Sequence, residues 1–256
     1  MSRPVRRSIV SRLMAACAAA ATLVSCLPED KSTERGGVEI TLAAGPFEAK
    51  TAAAGVTART TEVVLDRLVM LAGASVPECH ATYYIARPPP PTAVLDMRKP
   101  YVFEHRSLVE THCKVNAGFI KIEQPPARGD GVTPEEYLEL YTEGITGFGA
   151  MRLTASVKIT YKTLPPEAKR FEIFFADIRG LQVTTTDVPR GDKVSKRFVF
   201  DTTQMLLALP GMIRFDRDGD GTVTLAELDG PRQALIRSLA EVAWRETPVE
   251  VPSPSP

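Results

Sequence analysis

Met151-Arg152-Leu153-Thr154-Ala155-Ser156-Val157-Lys158-Ile159-Thr160-Tyr161 alternates apolar and polar side chains without a break. Successive side chains of a strand point to opposite faces, so this pattern predicts a β-strand with one face in a core and one toward water, the signature of an antiparallel sheet. Further strands are expected at Val38 to Leu42, Thr61 to Leu71, Ala81 to Ala86, Thr92 to Met97, Phe119 to Glu123, Phe171 to Ile178, Leu181 to Thr186 and Lys196 to Phe200. Thr61 to Leu71 also fits a helix. Many short strands with one wet face bury each other best as two stacked sheets, so residues 38–200 read as a mainly β, antiparallel β-sandwich. Pro88 to Pro91 cannot lie in a central strand and must form a connection.

Helices are expected only as short insertions and at the C-terminal end. Thr133-Pro134-Glu135-Glu136 has the cap, the proline and the glutamate of a helix start, which predicts a helix to about Tyr141. Asp201-Thr202-Thr203-Gln204 has capping-box form before the apolar stretch Met205 to Leu209, and Pro210-Gly211 interrupts that stretch. Pro231 opens a helix whose apolar residues Leu235, Leu239, Val242 and Ala243 are spaced to face the strands. Residues 247–256, ending in Val-Pro-Ser-Pro-Ser-Pro, read as a disordered tail.

Across the chain 31 basic residues balance 31 acidic ones, which gives no ground for a nucleic-acid or anionic-surface partner. At 44% apolar and 24% charged the composition is that of a folded globular protein. The N-terminus differs. Arg3, Arg6, Arg7 and Arg12 precede an uncharged, largely apolar run from Leu13 to Ser25, too short to span a bilayer as a mature helix. Residues 1–25 therefore read as a targeting segment, and Arg6-Arg7 also permits twin-arginine export.

Leu23-Val24-Ser25-Cys26, at the end of that run, resembles the lipobox of bacterial lipoprotein signal peptides. The resemblance implies cleavage before Cys26, lipidation of its sulfur and a polar tether over residues 26–37. Leu27, where the sorting rule of such proteins would place aspartate for inner-membrane retention, implies an outer-membrane destination in the bacterial envelope.

Of the four cysteines, Cys17 lies in the targeting segment and Cys26 would carry lipid, leaving Cys79 and Cys113 in an oxidising compartment. A Cys79–Cys113 disulfide is the expectation. The alternative is a copper or zinc site, because His80 follows Cys79 and His112 precedes Cys113. Neighbours on a strand diverge, which disfavours one metal held by such a pair.

Asp216-Arg217-Asp218-Gly219-Asp220-Gly221-Thr222-Val223-Thr224-Leu225-Ala226-Glu227 resembles the twelve-residue EF-hand calcium loop. Calcium needs hard oxygen donors around a sharply turned backbone. Asp216, Asp218 and Asp220 offer carboxylates, Gly221 permits the left-handed turn, Thr222 would give its carbonyl, Thr224 would act through water and Glu227 would close the shell with two oxygens. Four carboxylates and a flexible loop suit calcium better than magnesium. The competing reading is an acidic Gly-rich turn. EF-hand loops normally pair through the residue occupied here by Val223, and no second loop is evident, since the candidate around Gly129-Asp130-Gly131 has Pro126 and Arg128 where carboxylates should stand. Residues 201–246 thus read as a helix, calcium loop and helix holding a fixed ion.

Leu95-Asp96 followed by Ala117-Gly118-Phe119 resembles strands of uncharacterised β-sandwich lipoprotein domains, which carry no assigned activity. Arg-Gly-Asp at Arg128 to Asp130 and at Arg190 to Asp192 reads as turn chemistry. Neither a nucleophile motif, a zinc-protease motif nor a phosphate-cradling glycine loop is present. The combined expectation is a calcium-binding lipoprotein, anchored to the membrane by its N-terminal lipid and serving as a binding or structural module for a protein or glycan. The alternative is a calcium-dependent envelope hydrolase.

Overall fold

The computed structural model describes residues 36–53, 59–77, 91–108, 112–144, 148–189 and 191–249. Strands β1 (Gly36–Gly45), β2 (Glu48–Ala53), β3 (Arg59–Ser75), β4 (Thr92–Asp96), β5 (Tyr101–Leu108), β6 (His112–Gly118) and β7 (Ala127–Arg128) come first. Helix α1 (Pro134–Gly144) separates them from β8 (Ala150–Tyr161), β9 (Glu167–Ala176), β10 (Leu181–Asp187) and β11 (Lys193–Asp201). The C-terminal part holds α2 (Thr203–Ala208), β12 (Thr222–Thr224), α3 (Gly230–Glu241) and β13 (Trp244–Thr247).

The protein is mainly β, in two sheets. One has the order β13-β11-β1-β5; the other follows β10-β6-β3-β8-β9-β12, with β2, β4 and β7 alongside. Both sheets are mixed, which corrects the all-antiparallel expectation: β1 runs parallel to β11, and β12 runs parallel to β9. Parallel neighbours need long connections, and β1 and β11 lie at opposite ends of the chain, so no local pattern announces their pairing. One continuous core contains Val38, Ile40, Leu42, Phe198 and Phe200 from the first sheet with Leu65, Leu68, Leu153, Val157 and Phe171 from the second.

Strand β3 is the spine of the larger sheet. Along one side it pairs with β8 and then, from Gly73 on, with β6; along the other it meets β2 and then β4. Its register slips between Leu65 and Arg67, a bulge that re-aims Arg67. Beyond the bulge Leu68, Val69, Met70, Leu71 and Ala72 are all buried. Helix α1 explains this loss of alternation. It lies over the outer face, where Val69, Leu71, Val94, Ile122, Val132, Leu140 and Ala150 form a second cluster. A strand covered on both faces reads as a continuous apolar run, which is why its sequence also fits a helix.

The capping box predicted for α1 forms as expected: the Glu136 N–H donates to Thr133 Oγ1 at 3.2 Å and the Thr133 N–H donates to Glu136 Oε2 at 2.9 Å. Arg67 then ties this helix start to the sheet, donating from Nε and Nη2 to Glu136 at 2.9 and 2.6 Å and from Nη1 to Asp96 Oδ2 at 2.6 Å.

Four expectations need correction. Phe119 to Glu123 is not a strand; the strand ends at Gly118, and Phe119, Ile120 and Ile122 are buried as irregular chain. At α2 the Thr203 N–H donates to Asp201 Oδ1 at 3.0 Å, but the cap residue Thr202 makes no capping bond because its hydroxyl donates to the Pro46 carbonyl instead. Of the apolar residues expected to pack, Ala243 is buried and Leu239 packs half-buried against the core, while Leu235 and Val242 are exposed and Ile236 and Ala240 of α3 are buried in their place. Residues 244–247 form β13 on the edge of the first sheet, so ordered chain reaches into the expected tail. The predicted strand at residues 81–86, Cys26, Cys79 and Arg190 lie outside the described residues. Among the described residues no helix is long and apolar enough to cross a membrane.

Candidate metal centre

The segment from residue 209 to 241 is not two α-helices around a loop. A 3-10 turn over Leu209–Phe215 leads in, and a second over Leu225–Glu227 leads out to α3. Pro210 and Gly211 account for the first: proline lacks the N–H a helix interior needs and glycine weakens helix, so the α2 winding tightens and stops. Asp216, the first loop residue, is already extended with φ −65° and ψ 91°.

Carboxylate oxygens then organise the loop backbone. Asp216 accepts from the Gly219 N–H at 2.8 Å and from the Gly221 N–H at 3.1 Å, on different oxygens. Asp218 accepts from the Asp220 N–H at 3.1 Å, and Asp220 from the Thr222 N–H at 2.7 Å. Gly219 and Gly221 hold positive φ, +79° and +91°, a region that penalises any Cβ; for Gly221 this is the turn its place in the loop requires.

Glu227 closes the ring. Its Oε1 accepts from the Arg217 N–H at 2.9 Å, and its Oε2 from the Thr224 N–H at 2.8 Å and the Thr224 hydroxyl at 2.9 Å. Thr224 to Glu227 is therefore also a capping box for the second 3-10 turn. The T-x-x-E spacing was readable in the sequence, but it coincides with the last four positions of the twelve-residue loop.

Carboxylate oxygens of Asp216, Asp218 and Glu227 lie within 4.8 Å of one another, a spacing that suits a single cation. Asp220 stands outside this triad, with its carboxylate on the Thr222 N–H. The Lys169 ammonium donates to Asp216 Oδ2 from β9. That contact, followed by the Gly219 and Gly221 N–H groups, holds the Asp216 carboxyl below the usual carboxylate range. The Thr224 and Arg217 N–H groups do the same for Glu227. Both carboxyls are thus held in the form that could ligate a metal.

The loop is also joined to the larger sheet. Thr222, Val223 and Thr224 pair in parallel with Arg170, Phe171 and Glu172 of β9, and the Arg170 N–H donates to the Gly221 carbonyl at 3.0 Å. Val223 is completely buried in the main core. Residues 222–224 thus form an edge strand of the nine-stranded sheet. On the exit side the Gln233 amide donates to the carbonyls of Leu225 and Leu228, both at 2.9 Å, so α3 satisfies the end of the 3-10 turn.

Elsewhere, His112 and Cys113 diverge as strand neighbours should. Cys113 is buried in the core, whereas the exposed His112 ring lies 2.8 Å from Asp187. In the Arg128-Gly129-Asp130 triplet the Gly129 N–H donates to the Val94 carbonyl at 2.8 Å, which docks the turn on β4. No family model matches this chain, and neither a curated protein nor a solved structure matches it.

Proposed function

We propose that the protein is an exported bacterial lipoprotein, anchored through lipid on Cys26 and sorted to the outer membrane, whose β-rich body holds one calcium ion as a fixed structural element. In this reading it is a binding or structural module for a protein or glycan partner, and a Cys79–Cys113 disulfide closes the segment between β3 and β6.

The observation that carries the calcium reading is the convergence of Asp216, Asp218 and Glu227 in a loop whose sequence has the EF-hand order of donors. The ion would sit among these carboxylates, with Asp220, the Thr222 carbonyl and Thr224 completing an oxygen shell of the size calcium accepts. A fixed role is favoured over a switch because the loop has little freedom to move: Val223 is locked into the sheet on one side and Gln233 ties the exit on the other. Sensor EF-hands instead swing paired helices apart to open a groove.

Thermal unfolding of the purified protein in a non-ionic detergent tests the reading. Binding at about 0.1 mM, the tight end for extracellular calcium modules, contributes about 1.4 kcal/mol at millimolar calcium. The midpoint in calcium should exceed that in chelator by a few degrees, and magnesium should give no comparable gain. Identical midpoints in all three conditions would return residues 216–227 to a mere acidic turn.

A further inference from the structure

Lys169 stands on β9 beside the parallel partner strand β12, and its ammonium reaches into the loop to Asp216. The Asp216 side chain is only 2% exposed, whereas that of Lys169 is 28% exposed and retains a path to solvent. Asp216 Oδ2 serves both Lys169 and the Gly221 N–H, while Oδ1 serves Gly219. Asp216 is the first ligand position of the loop and belongs to the triad whose oxygens converge.

A calcium ion bound there would sit about 2.3 to 2.6 Å from the same carboxylate. An ammonium in hydrogen-bond contact with that carboxylate would then face a divalent charge at close range, and the two cations repel strongly at such distances. The two cations therefore compete for the charge of the one carboxylate. The contact is also specific to Lys169: neighbouring Arg170 is directed to Glu172, with Nη2 3.2 Å from its carboxylate.

We propose that Lys169 is the resident counter-ion of the loop: its ammonium neutralises Asp216 and keeps residues 216–227 folded without metal, and calcium enters by displacing it toward solvent. The inference rests on the calcium reading above and adds what sets the affinity of that site. Its consequence is a loop that keeps its shape in both states, with an affinity lowered by the cost of breaking the Lys169–Asp216 pair.

Calorimetric titration of calcium chloride into the purified protein in a non-ionic detergent tests this with Lys169→Met and, as a control for net charge, Arg170→Met. Lys169→Met should bind calcium about fivefold more tightly, the upper end for an ion pair of this exposure. Its midpoint in chelator should fall while its midpoint in saturating calcium stays at the native value. Arg170→Met should leave the affinity unchanged. An unaltered affinity in Lys169→Met, or an equal gain in Arg170→Met, would overturn the proposal while leaving the calcium site intact. Absence of calcium binding in both the native protein and Lys169→Met would instead remove the calcium reading itself. A measurement on the native protein avoids any folding defect of the variant: the lysine ammonium resonance of Lys169 in the nitrogen-proton spectrum should be protected in chelator and lost on adding calcium. Its persistence at calcium saturation would contradict displacement.

Discussion

Replacing Val223 by alanine tests whether the loop is built into the sheet or merely lies against it. Val223 is 0% exposed, belongs to the main core and pairs with Phe171, itself fully buried. The substitution deletes two methyl groups, worth about 1.6 kcal/mol at roughly 0.8 kcal/mol each, and leaves a small cavity that raises the loss to about 2 kcal/mol. For a folded unit of this size that loss lowers the unfolding midpoint by about 4 to 8 °C. Thr222→Ser, at a half-buried neighbouring position of the same strand, should change stability by no more than about 0.5 kcal/mol. Circular dichroism melts in chelator isolate the packing term from any metal. Calcium titration of the same variant should show weaker binding, because the ion must then also order a loosened strand. A Val223→Ala midpoint equal to that of Thr222→Ser would refute the claim that the loop is built into the sheet edge through Val223.

Arg67→Met breaks the ties from β3 to Asp96 and Glu136 and should cost about 2 kcal/mol, less than a fully buried pair because the arginine side chain is 27% exposed. The same network predicts acid sensitivity. Arg67, through its hydrogen bonds, holds the Glu136 carboxyl below its ordinary 4.5, so this contribution is complete above pH 4.5 and is lost as pH falls through the lower folded value. Midpoints measured from pH 6 down to pH 3 should fall less steeply in Arg67→Met; parallel profiles would exclude Glu136 as a source. Metabolic labelling with a lipid analogue should mark the native chain and not Cys26→Ser, and equal labelling of both would disprove the anchor. Thiol counting by mass spectrometry on the denatured, unreduced mature protein should find no free thiol, whereas two free thiols would rule out the Cys79–Cys113 bond.

The strands that advertised themselves were those with one wet face. Along β8 the exposed Ser156, Lys158 and Thr160 alternate with buried Val157 and Ile159, and this half of the strand keeps its period two. Nearer its start Arg152 is drawn to Glu139 of α1 at 2.6 Å and Thr154 is buried, so the helix that precedes the strand packs on its wet face and erases the pattern there. Strand β6 was missed for a related reason. His112-Cys113-Lys114-Val115-Asn116 alternates well, but the bulkier Phe119-Ile120-Lys121-Ile122 directly after it gives the stronger apolar signal while forming irregular chain. Of the loop, the order of donors and the glycine turn could be read from the sequence, because both are local requirements. Two features could not. The pairing of β12 with β9 and the arrival of Lys169 depend on which strand lies at the sheet edge, and nothing between residues 216 and 227 encodes that.

Direct calorimetric titration of calcium into the purified native protein and its Glu227→Gln variant tests the central claim most closely. Glutamine keeps the shape of Glu227 while removing the charge that closes the oxygen shell. One calcium ion per native chain with a dissociation constant of about 0.1 to 1 mM, together with no measurable binding by Glu227→Gln, is the expected result. Absence of calcium binding by the native protein, or equal binding by both proteins, would contradict the assignment of residues 216–227 as the calcium site.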